Sequence, residues 1–200
     1  MQQAIDFLSE QDAIFIQIIE KYGLPKVPWR PQGLETLVLL IMEQQVSIES
    51  AKATFLRLKE IANPFLPETL INISDEDFRS VGISRQKTSY IKGLSLAIIN
   101  KELDLETLSE KSTEQVREEL IKIKGIGHWT IDIYLMFAIE ATDIMPLGDI
   151  AVFNTIKELL DIHDREAMEE YIKKWSPYRS FATFLLWHYY LGKRNRKVNY

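Results

Sequence analysis

Cysteine is absent from this chain of 200 residues. Its absence removes a disulfide framework, a thiol nucleophile, a cysteine-ligated zinc and a cysteine-held iron–sulfur cluster together. Histidine is scarce, and His128, His163 and His188 show no ligand spacing, so no catalytic metal is expected. No apolar run reaches membrane-spanning length, and there is no signal peptide, internal repeat or low-complexity tract. A cytoplasmic protein with no membrane partner is the expectation. Basic charge is also in deficit: 24 Lys and Arg stand against 29 Asp and Glu, a net charge of −5. That argues against a uniformly basic nucleic-acid binder and confines any polyanion contact to a local patch or to backbone N–H groups. Candidate patches are Arg85/Lys87/Lys92, Lys122/Lys124 and the tail Lys193-Arg194-Asn195-Arg196-Lys197.

What is present is the composition of an ordinary globular protein, 46% hydrophobic and 26% charged. The length allows one large domain or two small lobes with a real core. Apolar residues at helical spacing predict a helix over Ala4–Tyr22, ending at Gly23-Leu24-Pro25. An extended connector with Pro25, Pro28 and Pro31 follows around Trp29 and Arg30. Leu34–Met42 is apolar on several sides and reads as a helix buried within the core. Glu43-Gln44-Gln45-Val46 interrupts it, and Ser47 caps the next helix, to about Ile61. After a break at Asn63-Pro64 and Pro67, Ser74 and Asp77 open a short helix ending at Gly82, and a tight turn leads into another reaching about Asn100. Further helices are predicted from Ser112 or Thr113 to Lys122, over Thr130–Ile139, from Gly148 or Asp149 to Leu160, from Asp164 to Trp175 and over Tyr178–Leu191. Sustained alternation is missing. About ten helices and no sheet make the expected class all-α.

Two stretches carry chemistry. Gly125-Ile126-Gly127 lies between helical patterns, so its backbone N–H groups are unshielded at the start of a helix, which suits a phosphate. Alone, Gly-x-Gly is equally a plain helix stop and start. Leu120, Ile121 and Ile123 before it, Ile126 as a plug and Thr130 one turn later make it a helix–hairpin–helix pattern, which grips one phosphate without reading sequence. The second stretch is Pro146-Leu147-Gly148-Asp149, whose aspartate alone reads as a helix N-cap.

These residues resemble the helix–hairpin–helix DNA glycosylase superfamily, whose hairpin reads roughly Leu-Pro-Gly-(Ile/Val)-Gly and is followed by a Pro-x-x-Asp bend. Within it the chain is most similar to the 3-methyladenine DNA glycosylase II branch. Supporting segments are Glu43-Gln44-Gln45-Val46-Ser47, Gly82 to Tyr90, and Trp175-Ser176-Pro177-Tyr178-Arg179-Ser180 leading to Leu186-Trp187. The resemblance covers about residues 30 to 192. It implies a base-excision repair enzyme that hydrolyses the N-glycosidic bond of alkylated purines in double-stranded DNA, with Asp149 as the catalytic carboxylate. Trp129 stands where bifunctional relatives carry a Schiff-base lysine, so the resemblance implies no lyase activity.

The branch places aromatic pocket residues at Trp129 and Trp187, with Tyr134, Tyr178 and Trp29 as further candidates and Ile133 where an aromatic is usual. An alkylated purine is cationic, and an electron-rich ring attracts it by roughly 0.5–2 kcal/mol. Gly125, Gly127 and Thr130, with Lys124 and His128 beside them, are the expected grip on DNA. The intercalating wedge is assigned to the turn of Ile83, Ser84 and Arg85, with Gln44 bracing the gap. A structural monovalent cation, if held, falls on the carbonyls of Ile121, Ile123 and Ile126, and no other cofactor is expected. Two helical lobes are implied, residues 1–35 with 145–200 and residues 36–144, the latter containing the hairpin at about 112–139, with the active-site cleft between them. A monomer is expected, nucleoid-associated in a bacterium, without the β-rich N-terminal domain of some branch members. The rival readings are a non-catalytic DNA-binding or lesion-sensing protein and a glycosylase for a neutral base.

Overall fold

The computed structural model describes residues 1–27 and 29–196, so Pro28 of the connector and Lys197 of the basic tail lie outside the described residues. Among the described residues there are helices and no strands. In chain order they are α1 (Gln2–Gln11), α2 (Ala13–Tyr22), α3 (Leu34–Glu43), α4 (Ile48–Ile61), α5 (Pro67–Asn72), α6 (Asp75–Ser80), α7 (Arg85–Ile99), α8 (Thr113–Leu120), α9 (His128–Phe137), α10 (Ile150–Leu160), α11 (Arg165–Tyr171) and α12 (Arg179–Gly192). Short 3-10 turns occupy Leu108–Glu110 and Ile172–Trp175. The all-α expectation holds.

Two of these elements depart from the sequence reading. Periodicity predicts one helix over Ala4–Tyr22, but Asp12 is extended (φ −157, ψ 122) and divides it into α1 and α2. Its carboxylate accepts hydrogen bonds from Tyr171 Oη (2.8 Å) and Trp175 Nε1 (3.4 Å) and lies 3.0 Å from Lys174 Nζ. Those distant partners hold it out of helical geometry. Pro67 does not simply break the chain. It is the first residue of α5, where its missing N–H goes unnoticed.

The chain divides into two compact units, residues 1–29 with 140–200, and residues 30–139. The seams lie about five residues before those read from the sequence. Arg30 accounts for the first: its N–H donates to Phe137 O (2.9 Å) and its guanidinium makes a buried bidentate pair with Glu43 (2.9 and 2.8 Å). Ile144 accounts for the second, since its N–H donates to Ser180 Oγ (3.0 Å) within the other unit.

In the unit of residues 30–139, α3 is the buried axis, packed on α4, α7 and α9. Thr36, Leu37, Val38, Leu40, Ile41, Met42 and Glu43 are all buried, as an apolar helix without a polar face requires. Each buried Leu or Ile contributes roughly 1.5–3 kcal/mol. Likewise α9 buries every residue from Thr130 to Phe137. In the other unit α12 packs on α1, α2 and α10, around Leu8, Phe15, Ile18, Val152, Ile156 and Trp175.

Candidate active site

The hairpin forms from local rules. Ser112 and Gln115 close a capping box at the head of α8, and the chain then turns through Ile123 and Ile126, both buried as core plugs. The two glycines answer different demands. Gly125 has φ +93, and a Cβ there would stand 2.1 Å from Tyr90 Cγ, so neither the backbone nor the space admits another residue. Gly127 has φ −103, which any residue adopts, and a Cβ there would meet nothing within 4 Å. Its lack of a side chain opens the backbone without easing it. Gly127 is also the N-cap of α9 and supplies no side-chain cap, so the positive end of that helix faces outward beside exposed Lys124 and His128.

Behind this turn sits a polar latch. Gln44 Nε2 donates to Gly125 O (2.9 Å) and to Thr130 Oγ1 (3.0 Å), tying the end of α3 to both sides of the hairpin. Lys87 Nζ in turn donates to Met42 O (2.6 Å) and Gln44 O (2.9 Å), covering carbonyls that α3 leaves over at its C-terminus. Burial pushes the Lys87 ammonium below its ordinary pKa. Between the held carbonyls and Ser47, Gln45 stands exposed at φ +60, a backbone region that side chains seldom enter. One turn into α9, buried Asp132 has its carboxyl pushed above the usual range by burial, against the attraction of Arg117 and His128. Arg117 Nη2 lies 2.5 Å from Asp132 Oδ1, yet that oxygen has no aligned hydrogen bond, so charge rather than direction holds the pair.

In the other unit, Asp149 is the N-cap of α10. Its Oδ1 accepts Ala151 N–H (2.9 Å), Val152 N–H (3.1 Å) and the indole N–H of Trp187 (3.2 Å). The segment leading to it is fastened along one face of α12. Arg179 grips Asp143 with Nε at 2.7 Å and Nη2 at 2.9 Å. Ser180 N–H donates to Thr142 O (2.9 Å), and Ser180 Oγ donates to Ala141 O (2.6 Å) while accepting Ile144 N–H (3.0 Å). Thr183 Oγ1 shares its proton among Arg179 O (3.0 Å), Met145 Sδ (3.2 Å) and Ile144 O (3.4 Å). Trp187 completes the series at Asp149. Burial alone would raise the Asp143 carboxyl, but bonds from Arg179 and Ser176 outweigh it and hold the group below the ordinary range.

Several residues singled out from the sequence lie elsewhere than expected. Tyr134 is fully buried, and its hydroxyl accepts Gly33 N–H (3.1 Å), so it is core rather than pocket wall. Ile133 is core too. Trp29 is 65% exposed. Tyr178 is half-buried, its ring edge-on to Phe7 and Phe181. Trp129 is half-buried at the head of α9. Trp187 is 8% exposed beside Phe184, which leaves little of its ring for a base. Ile83 is buried and cannot be a wedge; Ser84 caps α7 by accepting Lys87 N–H, and Arg85 is exposed. Thr130 and Gln44 are bonded to each other, so the Thr130 side chain (2% exposed) faces inward and Gln44 braces the hairpin itself. Of the candidate cation carbonyls, Ile123 O already accepts Ile126 N–H (3.0 Å).

Sequence reasoning placed Lys87 in a basic patch and not as a clamp, named Arg179 and Ser180 only within a supporting motif, and gave Asp143 and Thr183 no role. One signal for part of this was available: within the largely apolar stretch Ser180–Trp187, the residues able to hydrogen-bond, Ser180, Thr183 and Trp187, are spaced three and four apart.

Comparison with known proteins bears on the fold and the family. One relative, from Bacillus subtilis, is 35% identical over 124 residues, a stretch that takes in 60% of this chain and only 43% of the relative's length. A crystal structure of DNA-3-methyladenine glycosidase from Bacillus halodurans superposes with a TM-score of 0.82 at 30% identity, over 96% of this chain and 91% of that one. The 3-methyladenine DNA glycosylase of Schizosaccharomyces pombe in complex with abasic DNA superposes with a TM-score of 0.81 at 26% identity, over 92% and 95% of the two chains. Residues 38–177, more than half of the sequence, match the family described as HhH-GPD superfamily base excision DNA repair protein. The chain belongs to the HhH-GPD superfamily of base excision DNA repair proteins.

Proposed function

We propose that this protein is a monofunctional DNA glycosylase that removes alkylated purines from double-stranded DNA by hydrolysis. The observation that carries the reading is the carboxylate of Asp149, held by three N–H donors at the head of α10. Rupture of an N-glycosidic bond develops positive charge on C1′ and the ring oxygen. A carboxylate fixed beforehand stabilises that charge without reorganising as it forms. Water then forms the bond to C1′ as the C1′–N bond breaks, its electron pair leaving with the base, and Asp149 is placed to take the water's proton. A base alkylated at N3 or N7 is cationic and leaves neutral, so no strong general acid is required.

Binding is assigned to the hairpin. Gly125, Gly127 and the outward end of α9 take a phosphate, with Lys124 and His128 adding local positive charge to a chain of net charge −5. The target base has to leave the stack for its C1′ to be reached. Arg85 and the exposed, left-handed Gln45 are the protruding residues available to fill the gap. Trp129, half-buried, offers its ring to the extruded base. No lysine occupies that position, and Lys122 and Lys124 precede the turn, which leaves no amine there for a Schiff base. A monovalent cation suits the carbonyls of Ile121, Ile123 and Ile126, Ile123 O keeping one lone pair beyond its bond to Ile126. Exchange of K⁺ for a tetraalkylammonium at equal ionic strength would then weaken DNA binding.

The decisive assay incubates the protein with duplexes carrying 3-methyladenine, hypoxanthine or ethenoadenine, with and without alkali. Base release with strand scission only after alkali is expected, and Asp149→Asn should keep the fold and DNA affinity while abolishing release. Release from none of the duplexes would leave a binding module. Release of hypoxanthine alone would mark a site for a neutral base, and scission without alkali would mark a lyase.

A further inference from the structure

We infer that Trp187 is the positioning residue of Asp149, fixing the carboxylate through its indole N–H, and is not a stacking wall for the extruded base. This rests on the assignment of Asp149 to catalysis given above. Three observations point to it. Trp187 is 8% exposed, with Phe184 tilted against it at 5.9 Å between ring centres, so its faces are already occupied by protein. Its one polar atom, Nε1, lies 3.2 Å from Asp149 Oδ1, the oxygen that also receives Ala151 and Val152 N–H. Finally, it ends a series along α12 in which Arg179 binds Asp143, Ser180 binds Ala141, Thr142 and Ile144, Thr183 binds Ile144 and Met145, and Trp187 binds Asp149. The helix holds the whole catalytic segment, and the indole is the point at which that hold reaches the reacting group.

The chemistry requires such a group. The two amides at the head of α10 tie the carboxylate to its own helix. A donor from α12 restricts its swing, because α12 is a separate rigid element. Three donors on one oxygen leave a carboxylate that is oriented before substrate arrives, which electrostatic stabilisation of the sugar cation demands. An indole is suited to this place: it donates one hydrogen bond, accepts none, and excludes water with the rest of its surface.

The test replaces Trp187 by 3-benzothienylalanine, which keeps the size and shape of the bicyclic ring with sulfur where the N–H stands. Single-turnover base release from an alkylated duplex is measured beside affinity for a duplex carrying a stable abasic-site analogue, with denaturant unfolding as a control. The expected outcome is a rate lowered about tenfold or more, affinity within twofold of the parent, and unfolding unchanged. A second variant, Trp187→Phe, should lose rate likewise. A rate within twofold of the parent for the benzothienyl variant overturns the inference, as does a loss appearing in lesion affinity instead of rate, the mark of a stacking wall. Asp149→Asn is run in parallel. If that variant still releases base, the assignment of Asp149 has failed. If it is inert while the benzothienyl variant is fully active, only the role of Trp187 has failed.

Discussion

The two hairpin glycines should respond in opposite ways to the same methyl group. At Gly125 a Cβ would lie 2.1, 2.4 and 2.7 Å from Cγ, Cδ2 and Cβ of Tyr90, far inside van der Waals contact and against the rooted end of that side chain. Overpacking of this kind costs about 1–3 kcal/mol, and holding an L-residue at φ +93 adds about 1–2 kcal/mol. Gly125→Ala should therefore lose about 2–5 kcal/mol, lowering Tm by roughly 4–20 °C in a chain of this size. At Gly127 the φ is −103 and the new Cβ meets nothing, so the fold loses only the weak preference for Gly over Ala at an N-cap, below about 1 kcal/mol. Yet that Cβ would stand over the amides to which a phosphate is assigned. Urea unfolding and fluorescence anisotropy with a labelled duplex, run on both variants, separate the two demands. Gly127→Ala should unfold like the parent and bind DNA about tenfold or more weakly. Tyr90→Ala introduced beside Gly125→Ala should recover the steric part of its loss and not the part owed to φ. If Gly127→Ala binds DNA as the parent does, the hairpin does not present its backbone to phosphate. If it unfolds as early as Gly125→Ala, the division of labour between the glycines is wrong.

Two further predictions concern charge. Asp132 is buried with its carboxyl raised, so the folded state holds its proton over a window above the ordinary carboxylate pKa of about 3.9, and stability falls as pH rises through that window. Arg117→Met removes the opposing attraction and raises the group further; the variant should lose about 1–3 kcal/mol at pH 7, Arg117 being one-third exposed, and recover part of it by pH 5. A deficit that stays constant from pH 8 to pH 5 would refute this. Asp143 is the reverse case, held below the ordinary range, so its contribution is fully present at neutral pH and is lost as pH falls through the lowered value. Asp143→Asn should be about 1 kcal/mol less stable at pH 7 by urea unfolding, and the difference should begin to close only as pH falls below about 4, vanishing below the lowered value.

What the sequence made legible is what its own neighbours decide. Ser47, Ser74, Ser112, Asp149 and Asp164 each accept an amide two or three residues ahead, and all were readable as caps because the partner is nearly adjacent. The Gly125–Gly127 turn was readable for the same reason. Groups whose partners lie far along the chain were not. Gln44 reaches 81 and 86 residues ahead, Asp12 reaches 159 and 163, and Trp187 meets Asp149 across 38. Aromatic residue types misled in proportion: Tyr134 and Trp187 were read for their rings, whereas the structure uses the hydroxyl of one and the N–H of the other. A side chain's type limits which interactions it can make, and tertiary packing chooses among them.

Asp149 shows why local legibility alone left its role open. A cap and a catalytic carboxylate look like competing assignments in a sequence, yet the capping bonds here are what a catalytic carboxylate needs. An aspartate free to sample its rotamers would have to be oriented during the reaction, at a cost in barrier. One bonded to Ala151 and Val152 has been oriented by folding. Serine and asparagine cap about as well as aspartate, and the helix dipole favours a charge there by only about 0.3–1 kcal/mol, so capping gives little reason to prefer a charge at this position. Asp149→Ala would therefore confuse the two roles, removing about 1 kcal/mol of helix stability along with the carboxylate. Asp149→Asn keeps a side-chain oxygen for the two amides and for the Trp187 N–H and removes the charge alone. If that variant unfolds with the parent and releases no base, the cap is the scaffold of the catalytic group and the charge is the reason an aspartate stands there.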